Sequence, residues 1–493
     1  MELKQKNLNL LTGRIDLPIY NRDKLKPGIV HIGVGGFHRA HQAYYTDELL
    51  NKKGSYGWSI CGIGIREEDK TIFNALKQQD FLYTLVVKHP DGNLKERIIG
   101  SIIDYIFAPL ETARAIKKMA DYHTKIVSLT ITEGGYNFDH TTGEFIFESP
   151  NIQYDLNNPG NPKTVFGYLA AALRIRKEKK KPAFTVLSCD NLQHNGDITK
   201  KMLLSFTEKL DIELSKWIEA SVSFPNCMVD RITPVTTDYD KERLFKNTGI
   251  KDDCPVTCEP YIQWVIEDNF SNGRPRWEDV GVQFVNDIAP YEKMKIRLLN
   301  AGHSLLGMTG LLLGYHTIDE TVNVPILKNL LLNFMNREVK PILDPVKEVD
   351  FDEYMDCLIQ RFGNPNLKDP LIRICSESSA KLPKFLIPTI IEQLAKNGPI
   401  KRSTLILAAW CCNLEKYGSN GYGIEIQDDM LDILVKSAQE SVSHNPLAFL
   451  MNKAVFGDLI LSQRFVETYI LIIEYIRKFG IYNTILKLDQ IVS

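Results

Sequence analysis

The run Gly28-Ile-Val-His-Ile-Gly-Val-Gly-Gly-Phe-His38 decides how the first half of this chain is read. Its apolar opening reads as a buried strand, and a helical pattern follows over 37–51. Gly33 and Gly35 fill the first two places of a Gly-x-Gly-x-x-Gly turn between such a strand and helix. The first glycine permits the tight turn, and the second lets backbone approach a pyrophosphate resting on the helix N-terminus. The third place holds His38 rather than glycine. Gly33, Gly35, Gly36 and Phe37 are therefore the candidate cradle for a dinucleotide.

Working outward, β-rich runs at 58–65, 126–132 and 184–189 alternate with helical patterns at 68–77, 111–122 and 164–177. That alternation is the mark of βαβ units in a parallel, doubly wound sheet. From Pro290 onward the patterns are helical, over 291–314, 324–338, 351–362, 380–396 and 402–417. Pro341, Pro345, Pro383 and Gly418-Ser-Asn-Gly421 punctuate them. The expected fold is α/β, with an N-terminal Rossmann-type doubly wound domain over 1–286 and a mostly α-helical domain over 287–493.

The formal charge of −2 on 493 residues gives no field that would attract nucleic acid or acidic lipid. The longest apolar stretch, 305–315, falls well short of the ~20 residues of a membrane span. Nine cysteines, an odd number scattered from Cys61 to Cys412, point to a reducing, cytoplasmic setting. Cys254 and Cys258 lack a second pair at zinc-ligand spacing, and Cys411 and Cys412 sit in an apolar helical pattern. The N-terminus carries no apolar core of a signal peptide. The basic run 174–181 reads as a solvated helix end.

The second strand ends in Arg66-Glu-Glu-Asp69. An acid there accepts hydrogen bonds from an adenosine ribose and repels a 2′-phosphate, which favours NAD over NADP. Asp69 and Glu68 are the candidates, although the same acids suit the first turn of a helix.

A second stretch carries chemistry: Lys295-Ile-Arg-Leu-Leu-Asn-Ala-Gly-His303. At about 100° per residue, Asn300 lies about 140° and His303 about 80° from Lys295, with Glu292 about 60° away. A lysine, an amide, an imidazole and a carboxylate on one broad face are costly to bury unless they are used. Tyr291-Glu-Lys-Met-Lys295 also spells the Tyr-x-x-x-Lys pair of short-chain dehydrogenases, but the glycine turn is not theirs and the chain is about twice too long. Zinc chemistry finds only His38 and His41, inside the cofactor turn, with no cysteine cluster beside them.

Lys-x-x-x-x-Asn-x-x-His resembles the signature of the mannitol dehydrogenase family, the polyol-specific long-chain dehydrogenases. The stretch His31-Ile-Gly-Val-Gly-Gly-Phe-His-Arg-Ala-His-Gln-Ala-Tyr-Tyr45 resembles that family's opening. So do Thr130-Ile-Thr-Glu-Gly-Gly-Tyr136, Ser188-Cys-Asp-Asn-Leu192, Met228-Val-Asp-Arg-Ile232 and Pro383-Lys-Phe385, and the likeness covers nearly the whole chain. Within the family the glycine turn takes this form, His38 included. The resemblance implies a metal-independent, NAD-dependent dehydrogenase that oxidises a sugar alcohol such as D-mannitol to its ketose, D-fructose. Arabinitol, sorbitol and the uronates fructuronate and tagaturonate suit such pockets too. A non-catalytic NAD-binding sensor would need the Lys/Asn/His set broken, and it is intact.

The implied roles are Lys295 as general base, Asn191 and Asn300 as donors to the developing alkoxide, and His303 as the group orienting the substrate hydroxyl. Asp230, Arg373 and Lys381 would bind the remaining hydroxyls. Glu292, one turn before Lys295, would relay the proton, and Glu133 would line the cofactor site. No partner other than the polyol or ketose is implied, and a monomer is expected.

Overall fold

In the computed structural model, residues 1–52, 54–139, 142–417, 426–443 and 445–491 are described. The chain divides into two compact units, Met1–Ile288 and Ala289–Ser493.

In the first unit five parallel strands form the central sheet: β1 (Pro27–Ile32), β2 (Ser59–Gly64), β3 (Ile102–Phe107), β4 (Ile126–Leu129) and β5 (Thr185–Ser188), in the order β3-β2-β1-β4-β5. Side chains alternate across a strand, so Val30 and Ile32 enter one core with Ile63, Val127 and Val186. Ile29 enters the other with Ile60, Ile102, Ile126 and Leu187. Helices cover both faces, which is why these strands read as near-continuous apolar runs.

The edge strand β3 and two small sheets escape the sequence reading. Tyr83–Lys88 lies between Leu94–Ile99 and Val256–Cys258, and Gln263–Glu267 lies between Cys227–Asp230 and Gln283–Val285. The helix expected over 37–51 is broken at His41 (φ −120°, ψ −89°) into Gly36–Ala40 and Gln42–Asn51. The basic run 174–181 is not simply a solvated end. Arg176 is fully buried, and its guanidinium donates to the carbonyls of Met119, Asp121, Thr124 and Pro182. Burial lowers its pKa to about 10.

The second unit is helical. The helix expected over 291–314 is three pieces: Ala289–Lys295, a π-helical turn Ile296–Asn300, and Ala301–Leu312. The 380–396 helix resolves into Ser378–Phe385, with Pro383 inside it, and Ile387–Ala395. Gly418–Gly421 lie outside the described residues. Cys411 and Cys412 are buried in Lys401–Glu415. Among the described residues no helix is long and apolar enough to cross a membrane.

The turn that ends β1 depends on one absent atom. Gly33 has φ +93°, and a Cβ there would stand 2.1 Å from the Thr130 carbonyl oxygen. Both the strain and the backbone clash act against any side chain. We expect Gly33→Ala to lower stability by more than ~2 kcal/mol in urea denaturation; an unchanged midpoint would contradict the packing described.

Candidate active site

The glycine turn has the geometry of a cradle. Gly35 is extended (φ −94°, ψ −172°), precedes the helix Gly36–Ala40, and donates its N–H to the Gly33 carbonyl at 2.7 Å. A Cβ on Gly35 or Gly36 would meet nothing nearer than 3.9 Å, so the space over these residues is open to a bulky group. The first N–H groups of a helix have no intrahelical acceptor and suit a phosphate. Phe37 is half-buried and stacks on His41, with centroids 4.9 Å apart.

His38 turns inward rather than toward that space. Its ring lies 3.4 Å from that of His31 at 12°, and neither of its nitrogens has a hydrogen-bond partner. His31 is held by Ser128 Oγ (2.8 Å) and Thr130 Oγ1 (2.9 Å). Burial pushes the His31 pKa down to about 3. Burial, with the adjoining His31 and Arg39, holds His38 well below the usual range. The stacked pair fills the place where a third glycine would bring helix and strand together.

Of the two acids considered for the ribose, Asp69 packs over the end of β2: a Cβ on Gly64 would lie 2.7 Å from the Asp69 Cβ. Its carboxylate also accepts the Arg66 N–H at 3.0 Å, capping the short helix Glu67–Asp69. Glu68 is exposed. Ligands of parallel sheets sit beyond the carboxyl ends of the strands, and Asp69 stands at that level. The residues present thus fit a dinucleotide.

Beyond β4 and β5 lie the loops bearing Glu133 and Asn191. Glu133 opens the short helix Glu133–Tyr136, and Asn191 is exposed. Between them the buried Asp190 accepts the N–H groups of Ile131 and Thr132, both at 2.9 Å, and the Tyr136 hydroxyl at 2.7 Å. Thr132 has φ +61° and ψ 168°, a region belonging almost wholly to glycine and costing about 1–3 kcal/mol. Asp230 ends the strand Cys227–Asp230 and is 4% exposed. Asn195 ties the start of that strand to Asp190, donating to the Asp190 and Cys227 carbonyls and accepting the Cys227 N–H.

In the second unit the π turn changes the register assumed for Lys295 and Asn300. The Ala301 N–H reaches the Ile296 carbonyl, five residues back, so positions five apart come onto one face instead of diverging by about 140°. Lys295 and Glu292 are 5% and 4% exposed. Asn300 Oδ1 and His303 Nε2 are buried with no hydrogen-bond partner, the condition expected of atoms that await a ligand hydroxyl.

His303 rests on Phe362, ring centroids 4.2 Å apart. Burial first, then the charges of Arg373, Arg361, Lys295 and Lys381, hold it neutral, far below the usual imidazole range. Those cations belong to one cluster. Arg373 is paired with Asp369 through Nε at 2.6 Å and again through Nη2, and Lys381 Nζ donates to the Ser376 carbonyl at 2.6 Å. Sequence reasoning missed Arg361, Asp369 and Phe362. The Asp369/Arg373 spacing of four was a usable signal, while Arg361 looked like any charge on a surface helix. Tyr291 directs its hydroxyl to the Lys347 carbonyl at 3.4 Å.

Among the described residues no three His, Cys, Asp or Glu side chains gather into a metal-binding group. The profile described as the mannitol dehydrogenase Rossmann domain matches residues 27–279, and that described as the mannitol dehydrogenase C-terminal domain matches 287–474. The chain belongs to the mannitol dehydrogenase family. It is 42% identical to mannitol 2-dehydrogenase of Aspergillus clavatus, covering 99% of each chain. It resembles the ternary complex of Pseudomonas fluorescens mannitol 2-dehydrogenase with NAD and D-mannitol at TM-score 0.92 and 43% identity, over 99% of this chain and 100% of that one. A substrate-free D-sorbitol dehydrogenase matches at TM-score 0.89 and 36% identity, over 98% and 100%.

Three histidines, the buried His31 and His38 and the half-buried His303, are neutral in the fold but free to protonate once unfolded near pH 6.5. Their native pKa values are depressed, so the unfolded state binds more protons as pH falls, and stability is full above about 6.5 and lost below it. Each should cost about 1.4 kcal/mol per pH unit in that window. Urea midpoints measured from pH 7 to 5 should fall; a flat profile would contradict the neutral assignments.

Proposed function

We propose that this chain catalyses the reversible, NAD-dependent oxidation of D-mannitol to D-fructose without a metal ion. The observation that carries this reading is the helix with buried Lys295 and Glu292, followed by Asn300 and His303, whose buried Oδ1 and Nε2 atoms lack partners. It stands in a chain 43% identical to an enzyme seen with NAD and D-mannitol.

Bound over Gly33–Phe37, with Asp69 on its ribose, NAD supplies the hydride acceptor. Lys295 takes the proton of the hydroxyl being oxidised. A neutral amine is needed for that step, and the lysine that would supply it is buried. The amides of Asn191 and Asn300 donate to the oxygen as it gains charge, each contributing about 2.7–4 kcal/mol on the scale of oxyanion donors. Neutral His303 orients the same hydroxyl through Nε2. Asp230, Arg373 and Lys381 hold the other hydroxyls, Glu292 passes the proton on from Lys295, and Glu133 lines the cofactor site. The chain acts as a monomer in the cytoplasm, where its nine free thiols stay reduced.

The likeness to a D-sorbitol dehydrogenase makes the substrate the first thing to test. NADH consumption should be rapid with fructose and persist with a strong chelator. Turnover only with tagaturonate or fructuronate would move the enzyme to the uronate reductases. Lys295→Ala should lower turnover by ~10³-fold or more while NADH still binds; near-normal turnover would remove the base assignment.

Asp69→Ala should weaken NAD binding and relax discrimination against NADP, read as the ratio of kcat/KM for the two cofactors. An unchanged ratio would shift the ribose contact away from Asp69.

A further inference from the structure

We propose that Asp190, outside the set of residues assigned to the chemistry, is a positioning residue for the reaction. Its carboxylate holds the loop after β4 in a strained shape and thereby fixes the neighbouring Asn191. The inference rests on the reading of Asn191 as a donor to the substrate oxygen.

The grip is bidentate. Oδ1 accepts the Thr132 N–H, and Oδ2 accepts the Ile131 N–H together with the Tyr136 hydroxyl. The Tyr136 hydroxyl also meets Ser188 Oγ at 2.6 Å, so the end of β5 and the loop after β4 are joined through a single carboxylate. On its other side the Asp190 carbonyl accepts the Leu192 N–H at 2.9 Å and the Asn195 amide at 3.1 Å. Asn191 is thus flanked by a residue whose side chain and main chain are both fixed, although Asn191 itself is exposed.

Thr132 supplies the independent sign of function. A β-branched residue at φ +61°, ψ 168° persists only where its surroundings over-determine it, and such outliers gather at active sites. Here two successive N–H groups converge on one carboxylate and impose that shape. The carboxylate is buried, and only an acceptor can serve: an asparagine would turn an NH2 group toward one of the two N–H donors and leave it unpaired.

The test is a double-mutant cycle on steady-state fructose reduction. Asp190→Asn should lower kcat by about 10²-fold, the scale of a misplaced catalytic group. The Kd for NADH and the KM for fructose should stay within about threefold. In an Asn191→Ala background the same change should cost less than about threefold, because the group being positioned is gone. An equal loss in both backgrounds would show a general structural role and overturn the proposal, as would unchanged kcat for Asp190→Asn alone. Wild-type kcat for Asn191→Ala would instead bring down the donor reading, and the proposal with it. Should Asp190→Asn not fold, Tyr136→Phe keeps the carboxylate and removes one of its three donors. Its smaller loss in kcat should likewise vanish without Asn191, and a loss of equal size in both backgrounds would overturn the proposal.

Discussion

A parallel sheet buried on both faces is the constraint from which the first unit follows. Helices cover Val30 and Ile32 on one side and Ile29 on the other, so no strand face is left to meet a ligand. Only the ends are open. The Gly33–Phe37 turn follows β1, Asp69 stands past β2, Thr132 and Glu133 past β4, and Asn191 past β5. Four short segments, far apart in sequence, are brought to one level because the strands that lead into them run in register.

That logic explains what the sequence makes legible. Strands buried on both sides are mostly apolar, with the few polar residues such as His31 and Ser128 bonded to each other, so β1, β2, β4 and β5 stand out as runs, and the glycine turn stands out because its backbone tolerates little else. Leu94–Ile99 is the opposite case: Lys95, Glu96 and Arg97 interrupt it because one face is wet, and its sheet partner Tyr83–Lys88 pairs in turn with Val256–Cys258 more than 150 residues away. Local patterning carries no trace of such pairings. Arg176 fails for a related reason. A charge in a basic run reads as solvated, and only the fold shows four backbone carbonyls meeting its guanidinium.

The second unit gathers cations and keeps the group in their midst uncharged. Arg361, Arg373, Lys295 and Lys381 all act on His303, and a charged imidazole there would add repulsion to desolvation. Asp369, fully buried and doubly bonded to Arg373, offsets part of that concentration. Arg361, Lys295 and Asp369 are buried while Arg373 is half exposed, and desolvation of the buried ions commonly outweighs their mutual attraction. Charged donors and acceptors make the stronger hydrogen bonds, which suits the hydroxyl-binding role proposed for Arg373 and Lys381.

The π turn completes this argument. In an uninterrupted α-helix Lys295 and Asn300 would lie about 140° apart, at the two edges of one broad face. Insertion of Ile296–Asn300 with i→i+5 bonding brings the two into line, while His303 follows Asn300 by three residues in ordinary α register. The apolar residues Met294 before the turn, Leu298 within it and Leu305 after it all remain buried, so the core tolerates the extra residue. A π turn is rare because its hydrogen bonds are less favourable than those of the α-helix that could replace it. A second one, Met335–Val339, lies in the same unit, and periodicity computed for an ideal helix could identify Lys295 and Asn300 without finding the register that this turn gives them.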